Sequence, residues 1–194
     1  MKENTANYWE KRYQEQNTGW DLGTVSPPLK DYMNEIQDTF LKILIPGAGN
    51  SYEAEYLYHA GFRNIFVLDF AKPAIQNFKN RCPWFPEDQL LEQDFFNLDM
   101  KFDLVLEQTF FCALPPNRRS EYAQKMAAIL PKNKNLVGLL FDFPLTENGP
   151  PFGGSKQEYI KYFEPYFIIE EMQRATNSYP DRKGKELFFK LKRK

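Results

Sequence analysis

Leu44-Ile45-Pro46-Gly47-Ala48-Gly49-Asn50 constrains this chain more than any other stretch. An apolar run ends in a turn with two glycines, and a helical pattern follows. A second apolar run, Asn64 to Leu68, ends in Asp69, about 20 residues beyond Gly49. Strand, glycine turn, helix, strand and terminal acid together outline a nucleotide-binding βαβ unit. Glycine lets backbone approach a ligand where a Cβ would clash. The carboxylate can accept two hydrogen bonds from ribose hydroxyls.

The same turn argues against a dinucleotide. The GxGxxG fingerprint uses its third glycine to pack helix against strand over a pyrophosphate. Here the segment runs Gly47-Ala48-Gly49-Asn50-Ser51-Tyr52, so Tyr52 stands in that place. A bulky residue there disfavours a nucleotide-dependent oxidoreductase. It favours a ligand with a ribose and no phosphate, of which S-adenosylmethionine is the common example. A plain strand–turn–helix with no ligand would leave Asp69 unexplained.

Lys+Arg (25) and Asp+Glu (26) nearly cancel, so charge gives no reason to expect nucleic acid as a partner. No apolar run approaches the ~20 residues of a membrane span. The polar start MKENTANYWEKRYQEQ lacks the apolar centre of a signal peptide. Cys82 and Cys112 have no metal-ligand spacing, and the expectation is no metal, free thiols and a cytoplasmic protein.

The patterning predicts alternating strands and helices. Helices are expected at Asn7–Gln16, with Asn7 and Glu10 as a capping box, and at Leu29–Leu41, Glu53–Ala60, Pro73–Asn80, Asn117–Leu130 and Ser155–Tyr162. Strands are expected at Lys42–Ile45, Asn64–Leu68, Gln89–Gln93, Phe102–Leu106 and Leu136–Phe143, with a hairpin-like finish at Phe167–Arg174 and Glu186–Lys192. Such alternation gives an α/β, doubly wound, mostly parallel sheet. Right-handed crossovers gather the carboxyl ends of its strands along one edge, where ligands bind. The residues there are Gly47 to Asn50, Asp69, Asp94-Phe95, Glu107-Gln108 and Phe143. The Pro/Gly-rich loop 144–154 is long enough to be functional.

The segments NYWEKRY, GWDLG and SPPL, followed by LIPGAGN, NIFVLD, QDFF, FDLVLEQTFFCALPPNRR, GPPF and YPDRKGKE, carry a resemblance. The chain resembles the thiopurine S-methyltransferase family, within the class I S-adenosylmethionine-dependent methyltransferases. The likeness is greatest to the plant-type enzymes that methylate halides, thiocyanate and thiols. It implies a Rossmann-like class I fold over 1–194, a seven-stranded sheet with an antiparallel C-terminal strand, and a helical lid over 1–28. It implies that Trp9, Tyr13 and Trp20 close over the cofactor, and that Gly47, with Gly49, presents backbone to it. It places Asp69 on the ribose, Asp94 and Phe95 on the adenine, and Gln108 at a further cofactor contact. Relatives carry Tyr or Arg where Gln108 stands, so a role needing charge or a phenol is not implied. Tyr13, Trp20, Phe143 and Phe152 are the substrate-pocket candidates. Each aromatic also has an ordinary core reading. Glu107 is a candidate for the cofactor's ammonium group, and Arg182-Lys183 for steering an anion.

No Ser/His/Asp or Cys/His constellation appears, and His59, the only histidine, lies away from the ligand edge. The expected reaction is in-line displacement at the cofactor methyl, releasing S-adenosylhomocysteine, with no catalytic side chain beyond positioning. A small-molecule acceptor that arrives ionised fits: a thiol, hydrosulfide, thiocyanate, halide or thiopurine-like compound. Neither nucleic acid nor membrane is an expected partner. A monomer is expected, with an oligomer left open. A non-catalytic S-adenosylmethionine-binding protein is the alternative.

Overall fold

The computed structural model describes residues 5–194; the first four residues of the expected lid lie outside them. The chain opens with α1 (Ala6–Gln14) and α2 (Pro27–Glu35). Next come β1 (Ile43–Pro46), α3 (Tyr52–His59), β2 (Ile65–Asp69), α4 (Lys72–Arg81) and β3 (Leu90–Glu92). Then follow β4 (Leu104–Gln108), α5 (Arg119–Ile129), β5 (Asn135–Phe141), α6 (Lys156–Phe163), β6 (Phe167–Arg174) and β7 (Glu186–Arg193). The strands form a 7-stranded sheet in the order β3-β2-β1-β4-β5-β7-β6. β1 to β5 pair in parallel, and β7 runs antiparallel between β5 and β6. This is the expected doubly wound sheet with an antiparallel C-terminal strand.

Period-two patterning builds both faces. Leu44, Val105, Leu136 and Leu140 point to a core shared with Tyr122 and Met126 of α5 and Tyr159 and Phe163 of α6. Ile43, Ile45, Val67, Leu106 and Val137 point to the other, packed by Leu29 of α2, Leu57 of α3 and Phe78 of α4. Chain order reverses between β1 and its neighbours β2 and β4, so a cleft opens at their carboxyl ends.

Three expectations are corrected. α1 is capped by Thr5, whose hydroxyl accepts from the Tyr8 amide at 3.3 Å, so Asn7 and Glu10 form no capping box. α2 stops at Glu35, well short of Leu41: Ile36 turns extended, and Asp38 closes its own turn by accepting from the Phe40 amide. β5 ends at Phe141, and Phe143 continues only as an isolated bridge to Gly154.

Candidate active site

The glycine turn is built as a cradle. Gly47 and Gly49 both have positive φ, 56° and 55°, in the left-handed region that favours glycine. A Cβ on Gly47 would lie 2.4 Å from the Phe110 ring. One on Gly49 would meet the Tyr13 hydroxyl at 3.3 Å and the Trp20 indole nitrogen at 3.6 Å. The turn thus lies between Phe110 on one side and Tyr13 and Trp20 on the other.

Asp69 closes β2 and reaches back to that turn. Its Oδ2 accepts from the Gly49 amide at 3.0 Å and its Oδ1 from the Ala71 amide at 2.8 Å. The carboxylate keeps acceptor capacity beyond these backbone donors, and the residue lines the cavity described below. Burial raises its pKa to about 6, against the pull of its backbone donors.

α1 and the turn after it lie across the cleft. Trp20 packs edge-on against Trp9 at 5.1 Å and Tyr13 at 5.5 Å. Arg12 holds its guanidinium 4.9 Å from the Trp20 ring, a cation–π contact. Asp21 accepts from the Asn50 side chain, and the Ser26 amide donates to buried Glu53 at 3.1 Å. Burial and the nearby Asp69 charge push the Tyr13 hydroxyl upward, so it stays a neutral phenol.

These elements enclose a cavity of about 510 Å³. Along the sheet order, the end at the tips of β1 to β3 is walled by Gly47, Gly49, Asp69, Asp94 and Phe95, with Trp20 over Gly49. The end at the tips of β4 and β5 is walled by Cys112, Phe141, Phe143, Pro150 and Pro151, with Arg182 from the turn before β7. The structure therefore brings Trp9, Tyr13, Trp20, Gly47, Gly49, Asp69, Asp94, Phe95 and Phe143 to one cavity. Asp94 spends Oδ1 on the Phe96 amide at 2.9 Å, capping a short turn, and keeps its other oxygen.

Three residues are placed elsewhere. Phe152 is turned inward, its ring against Gly149 and its amide on the Cys112 carbonyl at 2.7 Å; Pro150 and Pro151 supply the wall instead. Gln108 does not line the cavity. It lies in a narrow cleft beneath the glycine turn, with its Oε1 buried and without a partner. Glu107 is fully buried, and its Oε1 accepts from the Phe110 and Phe111 amides at 2.8 and 2.9 Å, so it caps a turn and leaves an ammonium group to others. His59 packs at a tilt against Trp84, ring centroids 5.0 Å apart, away from the cleft.

Sequence reading missed Arg12 and Arg118, which also line the cavity. Arg12 was legible in retrospect: it lies at i,i+4 from Tyr8, whose hydroxyl it donates to at 3.0 Å. Arg182 is nearly buried, its guanidinium 5.6 Å from the Phe141 ring. Lys183 is exposed and stays off the wall, where Lys185 takes its place. Among the described residues no group of His, Cys, Asp and Glu could hold a metal ion. Among the same residues no helix is long and apolar enough to cross a membrane.

The residues fit S-adenosylmethionine. The glycine cradle admits backbone contact, Asp69 retains acceptor capacity for a ribose, and Asp94 with Phe95 offers an acid and a ring beside it. Sheet order and site together define a methyltransferase of the class I fold. A bacterial structure shares that fold: Burkholderia thailandensis 1,6-didemethyltoxoflavin-N1-methyltransferase, with S-adenosylhomocysteine bound, superposes with a TM-score of 0.79 at 16% identity, over 97% of this chain and 86% of that one.

The thiopurine S-methyltransferase family profile matches residues 4–191, and the chain belongs to that family. It is 31% identical over 170 residues to probable thiol methyltransferase 2 of Arabidopsis thaliana, covering 85% of this chain and 75% of that protein. It is 25% identical over 190 residues to thiopurine S-methyltransferase of Pseudomonas aeruginosa, covering 88% and 87%.

Proposed function

We propose that this protein transfers the methyl group of S-adenosylmethionine to a small soft nucleophile: a thiol, hydrosulfide, thiocyanate, halide or thiopurine-like compound. The carrying observation is the asymmetry of the cavity. One end has backbone donors and acids for a ribose and adenine; the other has Phe141, Phe143, Pro150 and Pro151 with Arg182 at their edge.

When bound, the cofactor supplies a methyl group already activated by its sulfonium. The protein's residues then position and desolvate. Gly47 and Gly49 offer backbone at close range, and Asp69 accepts from ribose hydroxyls. Trp9, Tyr13 and Trp20 cover the site and exclude water. The Phe143 and proline walls hold the acceptor against the methyl for in-line attack.

No base is needed if the acceptor arrives ionised. Tyr13 and Cys112, which line the cavity, are both pushed upward by burial and stay protonated. Arg182 and Lys185, with Asp181 just before them in the chain, bring cationic groups to the acceptor side that suit an anion. We further propose that the acceptor is a small molecule rather than nucleic acid or membrane, and that the protein acts as a monomer in the cytoplasm.

The test is S-adenosylhomocysteine release with iodide, thiocyanate, hydrosulfide, an aromatic thiol, a thiopurine and a catechol control. Turnover with sulfur or halide acceptors and none with catechol is expected. Catechol turnover alone would overturn the soft-nucleophile reading, and cofactor binding with no turnover on any acceptor would favour a binding-only protein.

A further inference from the structure

Glu107, at the end of β4, has no exposed surface and does not line the cavity, yet it controls a segment that does. Its Oε1 takes both amides of Phe110 and Phe111, at 2.8 and 2.9 Å. Between strand and turn lies Thr109, held at a φ of 59°, a strained conformation for a residue with a branched Cβ. The Thr109 carbonyl also accepts from the Cys112 thiol at 3.3 Å. Phe110 then presses on Gly47, closely enough that any Cβ there would collide with its ring. On the other side β5 comes so near that a Cβ on Gly138 would lie 2.8 Å from the Glu107 Cβ. A rigid column thus runs from Gly138 through Glu107 and Phe110 to the glycine turn.

We infer that Glu107 is a positioning residue for the cofactor: by holding the strained Thr109–Phe111 turn, it fixes Phe110 against Gly47 and so sets the backbone on which the cofactor rests. This rests on the S-adenosylmethionine reading above. A charged acceptor makes shorter and roughly twice stronger hydrogen bonds than a neutral one, so the carboxylate form holds the turn more tightly than the acid or an amide.

The environment makes that charge conditional. Oε2 is buried without a hydrogen-bond partner, as is the nearby Tyr122 hydroxyl of α5. Burial raises the Glu107 pKa to about 7, with the two amides opposing. The titratable groups that feel its charge are Cys112 on the turn and Tyr122 on α5, both kept neutral by burial; β5 presents Gly138, which does not titrate.

The experiment is calorimetric titration of S-adenosylmethionine into wild type, Glu107→Gln and Glu107→Leu from pH 6 to 8.5, with melting temperatures of each ligand-free protein. Wild-type affinity is expected to rise through pH 7. Glu107→Gln should lose that step, keeping only the one that Asp69 gives near pH 6, and bind about fivefold more weakly at pH 8. Its kcat at saturating cofactor should stay within about twofold, because the chemistry is untouched. The Gln variant should melt no lower than wild type at pH 8, since it removes a buried charge. A merely structural role predicts the reverse, lower melting with the pH step intact. Superimposable wild-type and Gln profiles overturn the inference, and so does a Gln variant that melts lower with its step retained. The comparison does not need the Leu variant to fold; if it folds, it should bind more weakly still. Failure of wild type to bind at any pH would instead overturn the cofactor reading.

Discussion

Arg182, in the turn before β7, donates a hydrogen bond of 2.5 Å from Nη2 to the carbonyl oxygen of Trp20. Trp20 therefore belongs to both ends of the cavity. Its indole lies beside Gly49, and its backbone is held by a residue of the opposite wall. Glu186 faces the same guanidinium at 3.5 Å from within the protein. Lid and acceptor wall are joined through one side chain.

Arg182→Gln is therefore expected to loosen the lid as well as the wall. A charge-assisted hydrogen bond contributes about 1.5–3 kcal/mol, so cofactor affinity should fall about tenfold. The cofactor-bound variant should be nicked by protease near the N-terminus faster than wild type. Equal nicking rates and equal affinities would show that the lid closes without this bond.

Asp69 is asked to serve both the turn and the ribose. Asp69→Ala removes the acceptor for the Gly49 amide and the charge in the cavity together. Affinity for S-adenosylmethionine should drop about 10- to 100-fold, with the acceptor KM little changed at saturating cofactor. An affinity within twofold of wild type would remove Asp69 from the site.

What the sequence made legible follows from how local the signals are. β1, its glycine turn and Asp69 lie close together in the chain, and each carries its own backbone signature. The period of the apolar residues was enough to place the strands along the chain and pair the last two. Side-chain direction in the loop 144–154 was not legible. Phe152 was read as a wall, but its amide is tied to Cys112 and its ring fills the space beside Gly149, so Pro150 and Pro151 line the cavity instead. Gln108 follows Glu107 on β4, and strand alternation turns it to the face of Leu106, into the cleft beneath the glycine turn. Thr5 won the cap from Asn7 because helical backbone begins one residue earlier, at Ala6.

Arg119 shows the same limit and gives a prediction. The sequence reads NRR as the start of a helix, and nothing local says that one arginine is fully buried. In the fold it pairs with Glu158 at 2.8 Å and donates to the Gly153 carbonyl at 2.8 Å. It thereby pins the loop whose Pro150 and Pro151 face the acceptor. Arg119→Met leaves those partners unsatisfied, a loss of about 3–5 kcal/mol for a broken buried pair. The milder Arg119→Lys should keep the charge but lose the two-pronged geometry. The lysine variant is expected to raise the acceptor KM several-fold while cofactor affinity holds. A parallel loss of both would mean that the damage is global.

Acid titration should separate stability from binding. Burial raises the pKa of Glu53, Asp69, Glu107 and Glu186, Asp69 to about 6 and Glu107 to about 7. Their unfolded values lie near 4. Between about pH 4 and 7 the folded protein therefore binds more protons than the unfolded chain, and stability falls as pH rises. The contribution is complete below the unfolded value and is lost as pH passes the folded one. Asp103 and Glu121 are lowered, and their opposite contribution is lost only at more acidic pH. Ligand-free protein should thus melt higher at pH 5.5 than at 7.5, by about 2–4 °C for each kcal/mol regained. Cofactor binding should move the other way, because protonated Asp69 loses the charge that strengthens its bonds to ribose hydroxyls. Scanning calorimetry without ligand and titration calorimetry with S-adenosylmethionine, at the same two pH values, check both signs. Stability and affinity falling together on acidification would contradict the assignment of these buried acids.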